Sequence, residues 1–213
     1  NTFRHPAVLA KQATVLDYAT GGRFILGIGA GWHEGEHEAF GIPLPPLPER
    51  FDRFESSLRV LQALFSDAAR AAPGVSLDDP YAALRDATNE PPPLRPGGPP
   101  IFHGGQKRRG LELAGRYGHG WVIPMGHAHD LGYWNERRDA IRRAMDAAGR
   151  EFDREFVMVG QVQCGRTAED RALALERAIA LAANGAGHLV LGMPADLGPA
   201  GLATVTREVA EPL

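Results

Sequence analysis

Three short runs hold residue types and spacings that could do chemistry. The first, Gly27-Ile28-Gly29-Ala30-Gly31-Trp32, ends an apolar stretch in small residues. It leaves almost no side-chain bulk there, which is what a flat cofactor needs to lie against backbone. The dinucleotide fingerprint G-x-G-x-x-G does not fit. Counted from Gly29 it demands glycine at position 34, where Glu34 stands, and a helix directly after the glycines. The second run, His103-Gly104-Gly105, closes another apolar stretch just before a helix that begins near Lys107. Backbone N–H groups and the positive helix end form a phosphate cradle there, and Arg108 and Arg109 could add charge-assisted bonds. On the glycines alone a plain strand-to-helix turn is the commoner reading. The third run, His33-Glu34-Gly35-Glu36-His37, matches the zinc-protease pattern H-E-x-x-H, with Glu34 as general base. Against zinc, it follows a strand end directly, carries Gly35 inside and has no third ligand at a typical spacing. A first helical turn at a pocket rim, where His33 or Glu34 meets substrate, suits it better.

Other titratable residues say less. His103 could face a bound ring or the core. His127 and His129 fall on a loop and could line an entrance, although solvated loop histidines are commoner. Asp17 with Arg23, and Arg50 with Glu55, read as structural ion pairs. Trp32 could flank a pocket or pack under helices, and Cys164 reads as an idle buried thiol.

The elements that position these runs alternate helix and strand. Segments 24–28, 101–103, 121–123, 156–162 and 188–191 read as strands. Helices are expected at 7–19, 49–65, 107–117, 131–148, 169–183 and 200–210. The stretch 66–100, rich in Asp, Ala and Pro with no clean period, reads as a long excursion or lid on a single domain spanning 1–213. Such alternation argues for parallel strands with right-handed helical crossovers. Each strand runs into a small or polar loop, which is where a (β/α)8 barrel puts its active site. The abrupt start at Asn1, with no methionine, suggests a barrel whose first three strands lie upstream. Open barrel edges would then make this piece poorly soluble when expressed alone.

The chain has 213 residues, 44% hydrophobic and 23% charged, the profile of a soluble globular protein with a sizeable core. A net charge of -3 gives no field for gripping nucleic acid. No apolar run approaches the ~20 residues that span a bilayer. One cysteine excludes an internal disulfide and fits the cytoplasm.

Read together, Arg4-His5-Pro6, Thr14-Val15-Leu16-Asp17, Gly22-Arg23-Phe24, Gly27-Ile28-Gly29-Ala30-Gly31-Trp32, Glu49-Arg50-Phe51 with Arg53 and Glu55, Pro99-Pro100-Ile101 with Gly104-Gly105, and Gly120-Trp121 resemble the bacterial luciferase-like monooxygenase family in order and spacing. The likeness covers residues 1 to about 126 closely, and the coenzyme F420 subgroup looks nearest. Family members often carry Ala-Asp-Gly-Trp where this chain has Gly118-His119-Gly120-Trp121. The resemblance implies an α/β fold, a luciferase-like (β/α)8 TIM barrel. It implies F420 or, alternatively, FMN held by Gly29, Ala30, Gly31, Trp32, Gly104, Gly105, Gln106, Trp121, Val122 and Ile123. The implied reaction is hydride transfer between F420 and a small organic substrate, or monooxygenation by reduced FMN and O2. His33, Glu34 and His103 stand as catalytic candidates, no metal is expected, and a homodimer is implied. A zinc hydrolase and a non-catalytic barrel remain as rivals.

Overall fold

Proline at the first helical position and the His5 ring, which accepts the Ala7 N–H at 3.3 Å, start helix α1 (Pro6–Ala19). Its inner face is small, with Ala10, Ala13, Thr14 and Asp17 buried, so it lies close on α3 (Leu47–Phe65). The computed structural model describes residues 1–213, which form two compact units, Asn1–Gly118 and His119–Leu213.

In the first unit, strand β1 (Leu26–Gly27) pairs in parallel with β4 (Ile101–His103), Leu26 opposite Ile101 and Gly27 opposite Phe102. The strand expected over 24–28 is thus shorter in pairing, although the amides of Leu26 and Ile28 also bond to the carbonyls of Pro100 and Phe102. Leu26, Ile28 and Ile101 join Phe54, Leu58, Leu61 and Phe65 of α3 in one core. Burying each such side chain contributes roughly 1.5–3 kcal/mol. Between β1 and α3 lies the short helix α2 (Glu34–Ala39), and β4 leads into α4 (Arg108–Tyr117).

The 66–100 segment holds an antiparallel hairpin, β2 (Val75–Leu77) with β3 (Leu84–Ala87), whose apolar side chains pack on that core. Its turn is organised by Asp79, whose side chain is fully buried. One oxygen accepts from the Ser56 hydroxyl and from the amides of Tyr81 (3.0 Å) and Ala82 (3.2 Å); the other takes Arg59 at 2.6 and 3.1 Å. Farther on, Asn89 donates to Thr14 at 3.0 Å and Arg95 pairs with Asp17 at 2.5 Å. Two expected ion pairs are therefore corrected. Asp17 takes Arg95 rather than Arg23, because the returning chain brings a guanidinium to its buried carboxylate. Glu55 takes Arg116 (3.0 Å), Arg109 (3.5 Å) and Arg59 (3.8 Å) rather than Arg50.

The second unit is a parallel ladder of β5 (Gly120–Val122), β6 (Val157–Gln163) and β7 (Ala186–Gly192), with β6 central. Helices α5 (Leu131–Ala147), α6 (Phe152–Glu155), α7 (Ala168–Ala183) and α8 (Gly198–Val205) connect and follow it. A reciprocal capping box of Thr167 and Asp170 starts α7. The single turn α6 was not anticipated. The last expected helix runs as α8 and then a π turn over Thr206–Ala210. No helix is long and apolar enough to cross a membrane.

Candidate functional site

Side chains alternate along β1 and its flanks. Leu26 and Ile28 are buried in the helix-facing core, while Ile25, Gly27 and Gly29 are exposed on the opposite face. On β4 the same alternation buries Ile101 and His103 and leaves Phe102 half-exposed beside Gly27. The result is a flat apolar face, Ile25 and Phe102 around two residues with no side chain. A Cβ built on Gly27 or Gly29 meets nothing within 4 Å, so these glycines open space that other atoms can enter. A planar ring laid on the bare backbone fits this face.

Past Gly29 the chain is held in place. Gly31 has φ +94°, and an added Cβ would approach the Thr2 hydroxyl at 3.0 Å, so glycine is required there. Its carbonyl accepts from Arg50 at 2.8 Å; this is where the Arg50 charge is used. Ala30 is half-buried against the core, and Trp32 is exposed, its ring meeting His33 edge-on at 5.1 Å. Trp32 is thus not a core residue.

The His33–His37 run is helical, and the bonds it makes are structural. His33 caps α2, its Nδ1 accepting the Glu36 amide at 2.9 Å. The buried His37 has both ring nitrogens engaged, Nδ1 with the His33 carbonyl and Nε2 with the Thr2 hydroxyl, each at 2.7 Å. No group of three His, Cys, Asp or Glu side chains could hold a metal ion. Glu34 is exposed in the first turn of α2.

At the end of β4, His103 lies in the core, its ring edge-on to Phe54 at 5.5 Å. Burial pushes its pKa down to about 4, against an upward pull from the Leu113 backbone, so the ring is neutral at physiological pH. The loop that follows presses on α4: a Cβ on Gly105 would sit 2.8 Å from the Gly110 Cα. The Gln106 amide folds back onto the Gly104 carbonyl. Lys107 precedes α4 without a side-chain cap, so the first-turn amides keep the anion-binding character of a helix start. Arg108 and Arg109 are already paired, with Glu112 at 2.7 Å and Asp52 at 2.6 Å. That leaves the first-turn backbone amides, rather than these guanidinium groups, as the candidate anion-binding groups.

In the second unit, Trp121 and Ile123 are fully buried and Val122 is half-exposed. Trp121 packs edge-on against Trp134 of α5 at 6.2 Å, so it serves that unit's core. His127 stacks on Tyr133 at 3.9 Å, with the Arg137 guanidinium 3.6 Å from the Tyr133 ring centre. His129 is exposed. Burial raises the Cys164 pKa, so the residue is an unreactive thiol.

Comparisons with known proteins agree on the architecture. A family model described as luciferase-like monooxygenase matches residues 1–204. Phthiodiolone/phenolphthiodiolone dimycocerosates ketoreductase of Mycobacterium tuberculosis is 33% identical over 177 residues, 83% of this chain and 44% of that protein. The FMNH2-dependent dimethylsulfone monooxygenase of Pseudomonas putida is 32% identical over 123 residues, 58% of this chain and 32% of its own. This chain therefore spans less than half the length of these relatives. Among solved structures, the coenzyme F420 dependent tetrahydromethanopterin reductase of Methanopyrus kandleri superposes with a TM-score of 0.73 at 16% identity, over 98% of this chain and 79% of that one. That likeness shows the fold, an α/β chain on the (β/α)8 barrel plan.

Proposed function

Since the chain belongs to the luciferase-like monooxygenase family, we propose that its glycine face holds the ring of coenzyme F420 for hydride transfer to or from a small organic substrate. The observation that carries this is the bare backbone of Gly27 and Gly29 beside Phe102, open on the side away from the core. The name of the Methanopyrus kandleri reductase supports the choice of F420, and that of the mycobacterial ketoreductase supports a reduction as the reaction.

When bound, F420 supplies hydride transfer at C5 of its ring; the protein supplies orientation and exclusion of water. Ile25 and Phe102 flank the glycines and would give the ring apolar contact on that face, and Arg50 fixes the Gly31 peptide that ends the platform. The amides opening α4 take the phosphate. A cavity of about 290 Å³ is lined by Thr2, Arg53, Ser57, Tyr81 and Ala82 among others, and the Thr2 hydroxyl lies 3.0 Å from where a Gly31 Cβ would be. Two of those residues come from the 66–100 segment, which supports a role for it in choosing the substrate. His33, Glu34 and His103 respectively cap a helix, meet solvent and sit in the core, and we assign none of them a proton transfer. The reading carries a homodimer and no nucleic-acid partner, the latter from the net charge of -3.

FMN is the second reading, supported by the similarity to the Pseudomonas monooxygenase; reduced FMN would then activate O2. Titration of the protein with oxidised F420 and with FMN, each followed by fluorescence quenching, separates the two. Micromolar preference for F420 is expected, and preference for FMN moves the chain to monooxygenation. Binding of neither refutes the functional reading.

A further inference from the structure

We propose that His103 is a positioning residue for the phosphate end of the cofactor, acting from the core side of β4 through the amide of Gly105. The inference rests on the functional reading above and adds to it a residue that touches neither cofactor nor substrate.

The geometry is specific. His103 Nδ1 accepts the Gly105 N–H at 3.3 Å, which places the ring proton on Nε2. Nε2 is buried without a hydrogen bond of good geometry, and the Leu113 backbone is the one polar group that acts on the ring from the core side. Burial keeps the imidazole neutral, and only a neutral ring can accept at Nδ1. Gly105 is meanwhile stopped on its other side by the backbone of Gly110. One residue is thus held from two directions, by an acceptor drawing its amide inward and by a helix its Cα rests on. That sets the direction in which the chain enters α4. The amides of Arg108, Arg109 and Gly110 precede the first ladder bond of that helix, from the Leu111 N–H to the Lys107 carbonyl at 3.0 Å. Their aim follows from where Gly105 is pinned.

The test compares ligands that share a ring and differ in the phosphate: FMN with riboflavin, and F420 with its phosphate-free deazaflavin alcohol. His103→Leu keeps apolar bulk beside Phe54 and removes the acceptor. His103→Asn places a carbonyl oxygen where Nδ1 stands. The Leu variant is expected to raise Kd for FMN and F420 about five- to tenfold, the loss of one hydrogen bond, and to leave the phosphate-free ligands within about twofold. Asn should restore most of the affinity. In amide exchange, Gly105 should be protected in the wild type and in the Asn variant and exposed in the Leu variant. Equal loss of both ligand types, or unchanged FMN and F420 affinity in a folded Leu variant, overturns the inference. Should the Leu variant not fold, an unprotected Gly105 amide in the wild type overturns it equally well. Wild-type protein that binds none of the four ligands instead refutes the functional reading, and the positioning role falls with it.

Discussion

Leucine at Gly29 separates the two things a glycine can do. The position has no left-handed backbone, and a Cβ there meets no atom within 4 Å, so Gly29→Leu fits the free protein. Its stability should change by no more than about 0.5 kcal/mol, as for substitutions that touch nothing. The added side chain occupies the layer where the ring would lie. Forcing it and the ring into one space costs about 1–3 kcal/mol, or about 5- to 150-fold in Kd. Gly31→Ala is the counterpart. With φ +94° and the Thr2 hydroxyl 3.0 Å from the new Cβ, it should cost about 1–3 kcal/mol of stability, about 2–4 °C of Tm per kcal/mol in a protein of this size. The assays are a thermal melt and the cofactor titration on both variants. A Gly29→Leu protein that melts normally and still binds F420 or FMN with wild-type affinity removes the glycine face as the ring platform. One that unfolds shows that the space was not free.

Other consequences follow from the same geometry. Arg50→Ala releases the Gly31 carbonyl and should raise Kd about tenfold with a modest fall in Tm; unchanged binding would assign Arg50 to folding alone. For Asp79, burial alone would raise the pKa, but bonds from Ser56, Arg59 and two amides hold it at about 2 against the usual 3.8. A depressed carboxyl stabilises the fold fully above about pH 4–5, and that contribution of about 2 kcal/mol fades as pH falls through the folded value. Urea midpoints of the wild type and Asp79→Asn should therefore differ at pH 7 and converge near pH 2, and a gap that persists there refutes the assignment. Chelator treatment followed by metal analysis should leave cofactor binding unchanged, because His37 has both nitrogens engaged. A stoichiometric metal whose removal abolishes activity would restore the zinc reading.

The long helices and the strand-end glycines were legible because their signals are local. Phe51, Phe54, Leu58, Leu61 and Phe65 repeat at helical spacing, and α3 follows them. The hairpin at 75–87 was not legible. Its strands are three and four residues long, and its turn depends on Asp79 reaching Ser56 and Arg59, about 20 residues earlier. Ion-pair partners failed for the same reason, since Arg95 meets Asp17 only after the chain returns. Which face His103 takes was open from its type alone; period-two alternation fixed by the buried Ile101 could have assigned it to the core. The capping role of His33 was hidden because the zinc motif and a helix start share their spacing.

The contact between Gly105 and Gly110 has a consequence for how this sequence can vary. Each glycine is small because the other's backbone lies 2.8 Å from where its Cβ would be. Neither position can change first, and changing both only adds bulk to the same gap. The pair is therefore locked in any mutational path that keeps α4 in place. A library meant to probe the proposed phosphate grip has to leave these two positions constant and draw its diversity from Gly104, Gln106 and Lys107.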